Sequence, residues 1–311
     1  MQAARRLAYN ENSRIGERRP RQALRQSRLP KNPSKETHDP HCNRPRLDIC
    51  CQQQEKKNDF KGRAWAPAAD EVMPTPLLPD GQNRSIALAA DVRSLEDLRA
   101  LLLAAKTSSA VGAVKIGFSL ALRHGLAAVV AEVRGITGLP IVYDHQKAGT
   151  DIPEMGQLFA NVCSEAGVDA LIIFPHSGPR TLEAFVAAAF QNTIVPIVGL
   201  TMTHRGYIQS DGGYIVDQAP FQICETALRL GVTNFVLPAT NPSIVQQFSA
   251  GPLRNVAATI WLPGIGRQGG SLTAALKSAS PHKAVGIIGS AVYDALDPAA
   301  AIATFAAEII P

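Results

Sequence analysis

Leu139-Pro140-Ile141-Val142-Tyr143-Asp144-His145-Gln146-Lys147-Ala148-Gly149-Thr150-Asp151-Ile152-Pro153 joins an apolar run directly to two carboxylates placed around one ammonium. Taking charges out of water costs several kcal/mol unless they are paired, so a charge cluster at the mouth of a buried run implies a polar pocket there. The stretch reads as a strand whose C-terminal end opens into a site, as in α/β proteins.

Working outward, the same pattern repeats. From Ser85 on, apolar runs alternate with amphipathic or Ala-rich stretches. Strands are predicted over 86–91, 112–117, 140–144, 170–174, 196–202, 234–238, 257–262 and 284–289. Helices are predicted between them over 95–106, 120–134, 152–166, 181–190, 220–230, 242–248 and 272–279, with 299–310 closing the series. β-branched runs without alternation suit parallel strands covered on both faces. About eight β/α units in some 230 residues is the size of one (β/α)8 TIM barrel. A doubly wound sheet would carry a Gly-rich fingerprint after its first strand, whereas Val92-Arg93-Ser94 follows Asp91. The barrel domain is expected to occupy residues 76–311.

The preceding residues, 1–75, differ in kind. They hold 16 of the 31 Lys+Arg and 9 of the 26 Asp+Glu, which leaves the remainder slightly acidic at 15 against 17. The basic character of the chain, net +5, comes from this segment, so it does not argue that the barrel binds nucleic acid. Segments such as Arg18-Arg19-Pro20-Arg21 and Gln52-Gln53-Gln54-Glu55-Lys56-Lys57 bury too little to offset chain entropy, and a disordered basic extension is expected. Glu11 and Glu17 weigh against an organelle-targeting peptide. A weak nucleic-acid tail, or upstream sequence joined to a start near Met73, are the other readings of this extension. No apolar run reaches membrane-span length. Five scattered cysteines (Cys42, Cys50, Cys51, Cys163, Cys224) match neither zinc spacing nor a disulfide framework, and a cytoplasmic protein with reduced thiols is expected.

With the strands placed, the polar residues fall at their C-terminal ends. Asp91 ends the first, Lys115 lies near the end of the second, and Asp144, Lys147 and Asp151 follow the third. Thr201-Met202-Thr203-His204 follow the fifth. Pro263-Gly264-Ile265-Gly266-Arg267-Gln268-Gly269-Gly270 follow the seventh, and Gly289-Ser290 the eighth. That joint placement on one rim marks the catalytic face of a barrel. The glycines let backbone N–H groups approach an anion, and loops after strands seven and eight commonly hold phosphate in this fold. His145, His176 and His204 show no HxH or HExxH spacing and read as loop polar groups, so no metal site is expected.

In order, Ala89-Ala90-Asp91, Lys115-Ile116-Gly117, Asp144/Lys147/Asp151 with Ile152-Pro153, Met202-Thr203-His204, Val236-Leu237-Pro238-Ala239-Thr240 and the loop 263–270 resemble the orotidine 5'-phosphate decarboxylase family, from about Ser85 to Ile310. The resemblance implies an alternating array of Lys115, Asp144, Lys147 and Asp151 beside the substrate carboxylate, with Asp151 completing the site of a homodimer partner. It implies that Lys147 protonates C6, that Asp91 and Lys115 hold ribose hydroxyls, and that Thr203 meets the pyrimidine. Gln268 with Gly266 and Gly269, and Gly289 on the neighbouring side, would meet the phosphate of a nucleotide substrate. It implies no cofactor; from charge distribution and run length, no nucleic-acid partner and no membrane are expected.

Two positions depart from the family pattern. The common motif is Asp-x-Lys-x-x-Asp, whereas Lys147 lies three residues after Asp144 and Asp151 four after Lys147. Residues i and i+2 share a strand face while i and i+3 do not, so either the chain leaves β geometry after Asp144 or Gln146 takes the lysine's place. Ser290 stands where the family has an arginine, and Arg267 is the cation available to replace it. Two alternatives follow: a Mg2+-dependent sugar-phosphate lyase of the same suprafamily, and a nucleotide-binding barrel with impaired catalysis.

Overall fold

The structure, a computed structural model, describes residues 77–78, 81–145 and 151–309. The 1–75 extension with Cys42, Cys50 and Cys51 lies outside the described residues, as do Gln146 and Lys147. Among the described residues eight strands run in chain order: β1 (Arg84–Ala90), β2 (Val111–Gly117), β3 (Ile141–Asp144), β4 (Ala170–Ile173), β5 (Val195–Gly199), β6 (Asn234–Val236), β7 (Thr259–Leu262) and β8 (Lys283–Ile288). Each pairs in parallel with the next, and β8 closes on β1 through Arg84↔Ala284 to Leu88↔Ile288. The result is the expected (β/α)8 barrel.

The helices are α1 (Leu95–Ala105), α2 (Phe118–His124), α3 (Leu126–Ile136), α4 (Met155–Glu165), α5 (Pro179–Gln191), α6 (Ala219–Arg229), α7 (Pro242–Ala250), α8 (Leu272–Ser278), α9 (Ser290–Tyr293) and α10 (Pro298–Ala307). Side-chain caps start several of them: Ser94 accepts from the Asp97 N–H, Asn241 from Ile244, Ser271 from Ala274 and Asp297 from Ala300. One predicted helix, 120–134, is two. Gly125 sits at φ +82° between α2 and α3, a conformation that interrupts an α-helix and that glycine adopts freely. The fifth strand also ends at Gly199 rather than Met202, which frees Thr201 to Thr203 for the rim.

Strand periodicity sorts the core into two layers. Ile86, Leu88 and Ala90 face outward to the helices, whereas Ala87 and Ala89 face the barrel interior with Ala113, Val142, Ile172, Trp261, Val285 and Ile287. Leu77 and Leu78 join the interior cluster. Trp261 is fully buried there, and its indole N–H donates to Asn234 Oδ1 at 3.1 Å. Each interior row continues upward at period two: Ala89 to Asp91, Ala113 to Lys115, Val142 to Asp144, Ile172 to Phe174, Ile287 to Gly289. The sequence thus aims its charges into the C-terminal mouth of a filled barrel.

Candidate active site

A cavity of about 250 Å³ opens at that mouth, and Asp91, Lys115, Asp144, Thr203, Arg267, Gln268, Gly289 and Ser290 all line it. Residues from the ends of β1, β2, β3, β5, β7 and β8 are therefore brought together as the sequence implied. Asp151 is exposed and is not among the lining residues, and neither are Gly266 and Gly269.

At the floor lies a triad of charge. The Lys115 ammonium is 3.2 Å from both oxygens of Asp91 and 3.3 Å from Asp144 Oδ2. Register explains the meeting, because Ala89 pairs with Lys115 and Gly117 pairs with Asp144. Lys115 is only 5% exposed. Burial pulls its pKa down, but the carboxylates of Asp144 and Asp91 outweigh burial and hold it above the usual lysine value. Two carboxylates about one ammonium leave this cluster with one net negative charge. Gly117 makes room for it, since a Cβ there would lie 2.0 Å from Asp91 Oδ1.

The glycine loop after β7 forms the opposite wall. Gly264, Gly266 and Gly269 have φ of +97°, +81° and +89°, which only glycine adopts without strain. The N–H groups of Gly266, Gly269 and Gly270 donate within the loop, to the carbonyls of Gly270, Gly266 and Gly264 at 3.0, 2.8 and 3.0 Å. Gly266 and Gly269 thus shape the turn, and the loop presents Arg267 and Gln268 to the cavity. Three loops converge on Gly264: a Cβ there would meet the methyls of Thr240 and Thr203 at 3.0 and 3.1 Å. The Thr240 hydroxyl also donates to the Thr203 carbonyl at 3.3 Å, which gives Val236-Leu237-Pro238-Ala239-Thr240 its structural purpose. Towards the neighbouring β8 side, Arg267 Nη1 pairs with Asp294 Oδ2 at 2.9 Å, both side chains well exposed.

Several lining residues escaped the sequence reading. Phe174 stands above Ile172 on β4's interior row and lies on Gly199, where a Cβ would come within 2.4 Å of the ring. Tyr293, on the single turn α9, faces the cavity. Burial, then the charges of Asp91 and Asp294, raise its pKa against the opposing effect of Arg267 and Lys115. Ile172, its neighbour on the strand, could have signalled Phe174 by alternation; nothing local signals Tyr293.

The three histidines serve as loop contacts. His145 Nδ1 pairs with the Tyr143 hydroxyl, and its ring packs edge-on to Phe159 of α4. His176 Nε2 lies 3.1 Å from the Tyr207 hydroxyl, and His204 packs against the same ring. Among the described residues no group of three or more His, Cys, Asp or Glu is placed to hold a metal ion.

Burial pushes Tyr143 and Tyr207 up to about 12 from 10.0, with Cys163 and Asp144 adding to the effect on Tyr143. The folded state favours the neutral phenols, so the unfolded chain ionises first. Stability is therefore expected to fall as pH rises from about 10 towards about 12. Phenolate absorbance followed against pH should show these two tyrosines ionising late and together with loss of near-UV dichroism; smooth titration of all tyrosines before unfolding would contradict this.

The comparisons with known proteins fit this geometry. The family model described as "Orotidine 5'-phosphate decarboxylase / HUMPS family" matches residues 84–305. Orotidine 5'-phosphate decarboxylase of Methanosarcina barkeri is 31% identical over 225 residues, covering 71% of this chain and 93% of its own. That of Thermococcus kodakarensis is 29% identical over 229 residues, covering 74% and 98%. Among solved structures, the Pyrococcus horikoshii enzyme superposes with a TM-score of 0.60 at 25% identity, covering 72% of this chain and 98% of that one. The Methanocaldococcus jannaschii enzyme complexed with the inhibitor BMP has the same fold, with a TM-score of 0.64 at 21% identity and coverages of 73% and 99%. This chain belongs to the orotidine 5'-phosphate decarboxylase / HUMPS family.

Proposed function

We propose that the chain decarboxylates orotidine 5'-monophosphate to UMP in pyrimidine biosynthesis, as a cytoplasmic carboxy-lyase that uses no cofactor. The observation that carries the reading is the Asp91–Lys115–Asp144 array facing the glycine loop across one cavity, inside the residues the family model matches. The loop side suits a phosphate: Gln268 and Arg267 follow β7, and Gly289 and Ser290 follow the neighbouring β8. Thr203 then meets the pyrimidine, and Asp91 and Lys115 the ribose hydroxyls. Asp144 faces the departing carboxylate, adding ground-state repulsion that phosphate binding offsets. Cleavage of the C6–carboxylate bond leaves an electron pair on C6, CO2 departs, and Lys147 supplies the proton.

In this reading Asp151 completes the site of a second copy. Its exposed position outside its own subunit's cavity supports that role. So do Ile152, Leu158 and Val162, large apolar residues exposed on and just before α4, and Phe118 and Leu122 exposed on α2. Cys163 and Cys224 are buried free thiols, in keeping with a reducing compartment, and among the described residues no helix is long and apolar enough to cross a membrane.

The direct test is the fall in orotidine monophosphate absorbance with the purified protein. Turnover is expected, and EDTA should leave it unchanged; turnover that EDTA abolishes would favour the Mg2+-dependent lyase instead. Binding of UMP without turnover would mean a barrel that has lost its chemistry. Arg267→Ala is expected to weaken UMP binding by about 10- to 100-fold, the worth of one charge-assisted hydrogen bond. Unchanged affinity would remove Arg267 from the phosphate site.

A further inference from the structure

Asp151 sits in a stretch of chain that neither strand nor helix holds, because α4 starts only at Met155. Two described hydrogen bonds fix it. Its own Oδ1 accepts from the Ile152 N–H at 2.7 Å, which orients the carboxylate relative to its backbone. The Thr181 hydroxyl donates to the Asp151 carbonyl at 2.9 Å, which ties that backbone to α5.

Thr181 is 1% exposed and belongs to the first turn of α5, where no helical carbonyl lies one turn behind to take its proton. The helix that follows Asp151 and the helix that carries Thr181 are in close contact. A Cβ on Gly156 would lie 3.1 Å from the carbonyl carbon and oxygen of Ala184, so α4 rests directly on the α5 backbone. Asp151 is thereby referenced to the barrel through α5, by a hydroxyl that touches no cavity wall.

We propose that Thr181 is a positioning residue for the reaction: its hydroxyl sets where the Asp151 carboxylate stands. The inference rests on the reading above, in which Asp151 acts at the reacting carboxylate. Fixing a charge in an array matters because a displacement of about 1 Å can cost on the order of 100-fold in rate. The effect belongs in kcat rather than KM, since substrate affinity comes chiefly from the phosphate end.

Thr181→Val keeps the branched shape and removes the donor, and Asp151 is an exposed residue whose carbonyl can be reached by water once the donor is gone, so the fold should persist. Thr181→Val is expected to lower kcat by roughly tenfold or more with KM changed by less than about threefold, and a thermal midpoint within a few degrees of wild type. Thr181→Ser, which retains the hydroxyl, should restore kcat to within about twofold. A Thr181→Val enzyme with wild-type kcat, or a serine variant as slow as the valine one, overturns the proposal.

Subunit mixing supplies a readout that a merely structural role would not move. Subunits carrying Thr181→Val, mixed with subunits carrying Asp91→Ala, should regain activity above either parent. One site of the mixed pair would then have its own Asp91 and a correctly set partner Asp151. If Asp151→Ala mixed with Asp91→Ala regains activity and the Thr181→Val mixture does not, Thr181 acts inside its own site and the proposal is wrong. A wild type that never turns over orotidine monophosphate would sink the functional reading, and this inference with it, before any variant is compared.

Discussion

Lys115→Met is expected to abolish turnover, lowering kcat by about three orders of magnitude or more. The ammonium it removes is shared by two carboxylates at 3.2 and 3.3 Å, and it is nearly sealed from water. Methionine fills a similar volume, so the loss is one of charge rather than of packing. Removing one partner of a buried pair costs about 3–5 kcal/mol. The Asp91 side chain is 40% exposed and can be rehydrated, so about 2–3 kcal/mol of stability is the expected loss here. Lys115→Arg should not restore activity, because a planar guanidinium cannot stand where a compact ammonium meets two carboxylates.

The same pair fixes a pH signature. The folded-state pKa of Lys115 lies above its ordinary 10.5, so the stability it contributes is fully present below 10.5 and is lost as pH rises through the raised value. The stability gap between wild type and Lys115→Met should therefore be flat through neutral pH and narrow only in strong alkali. Urea midpoints at several pH values would measure it. A gap that already narrows near neutrality would mean that the lysine is not held charged by Asp144 and Asp91.

The array and the barrel were legible in the sequence for one reason. Strands covered on both faces read as continuous apolar runs, and alternation carries each interior row into a polar residue at its end. Ala89-Ala90-Asp91 and Val142-Tyr143-Asp144 state their own geometry. Contacts between distant segments do not announce themselves in this way. The Arg267–Asp294 pair joins a glycine loop to a helix of one turn, and Tyr293 enters the cavity only because β8 closes on β1. Thr181 looked like the start of a helix, and its hydroxyl finds Asp151 only because α4 and α5 pack together. The break at Gly125 is hidden in the sequence because the apolar pattern runs on through it while a single residue changes the backbone. The glycines of the loop after β7 are legible as a backbone able to approach an anion, yet which of its N–H groups remain for a ligand is decided by the turn's own hydrogen bonds.

Lys147→Ala is expected to abolish turnover, and Gln146→Ala to leave it within a few-fold of wild type. Strand alternation alone would assign the position two after Asp144 to Gln146, but β3 ends at Asp144. Chemistry separates the two residues further. A carboxamide has no proton to give at neutral pH, whereas an ammonium can both stabilise a carbanion and protonate it. Among the described residues Lys115 is the only lysine lining the cavity, and it is the wrong acid, because Asp144 and Asp91 hold its proton above the ordinary lysine value. The reaction needs a second ammonium, and Lys147, three residues beyond Asp144, is the one the chain offers. Loss of a general acid lowers kcat by about 10²- to 10⁴-fold. UMP affinity should change little in Lys147→Ala, because the phosphate wall formed by Arg267 and Gln268 is untouched. Single-turnover rates and UMP affinities of both variants decide the matter: an active Lys147→Ala enzyme would mean that the proton reaches C6 by another route, and an inactive Gln146→Ala enzyme would return the lysine's place to residue 146.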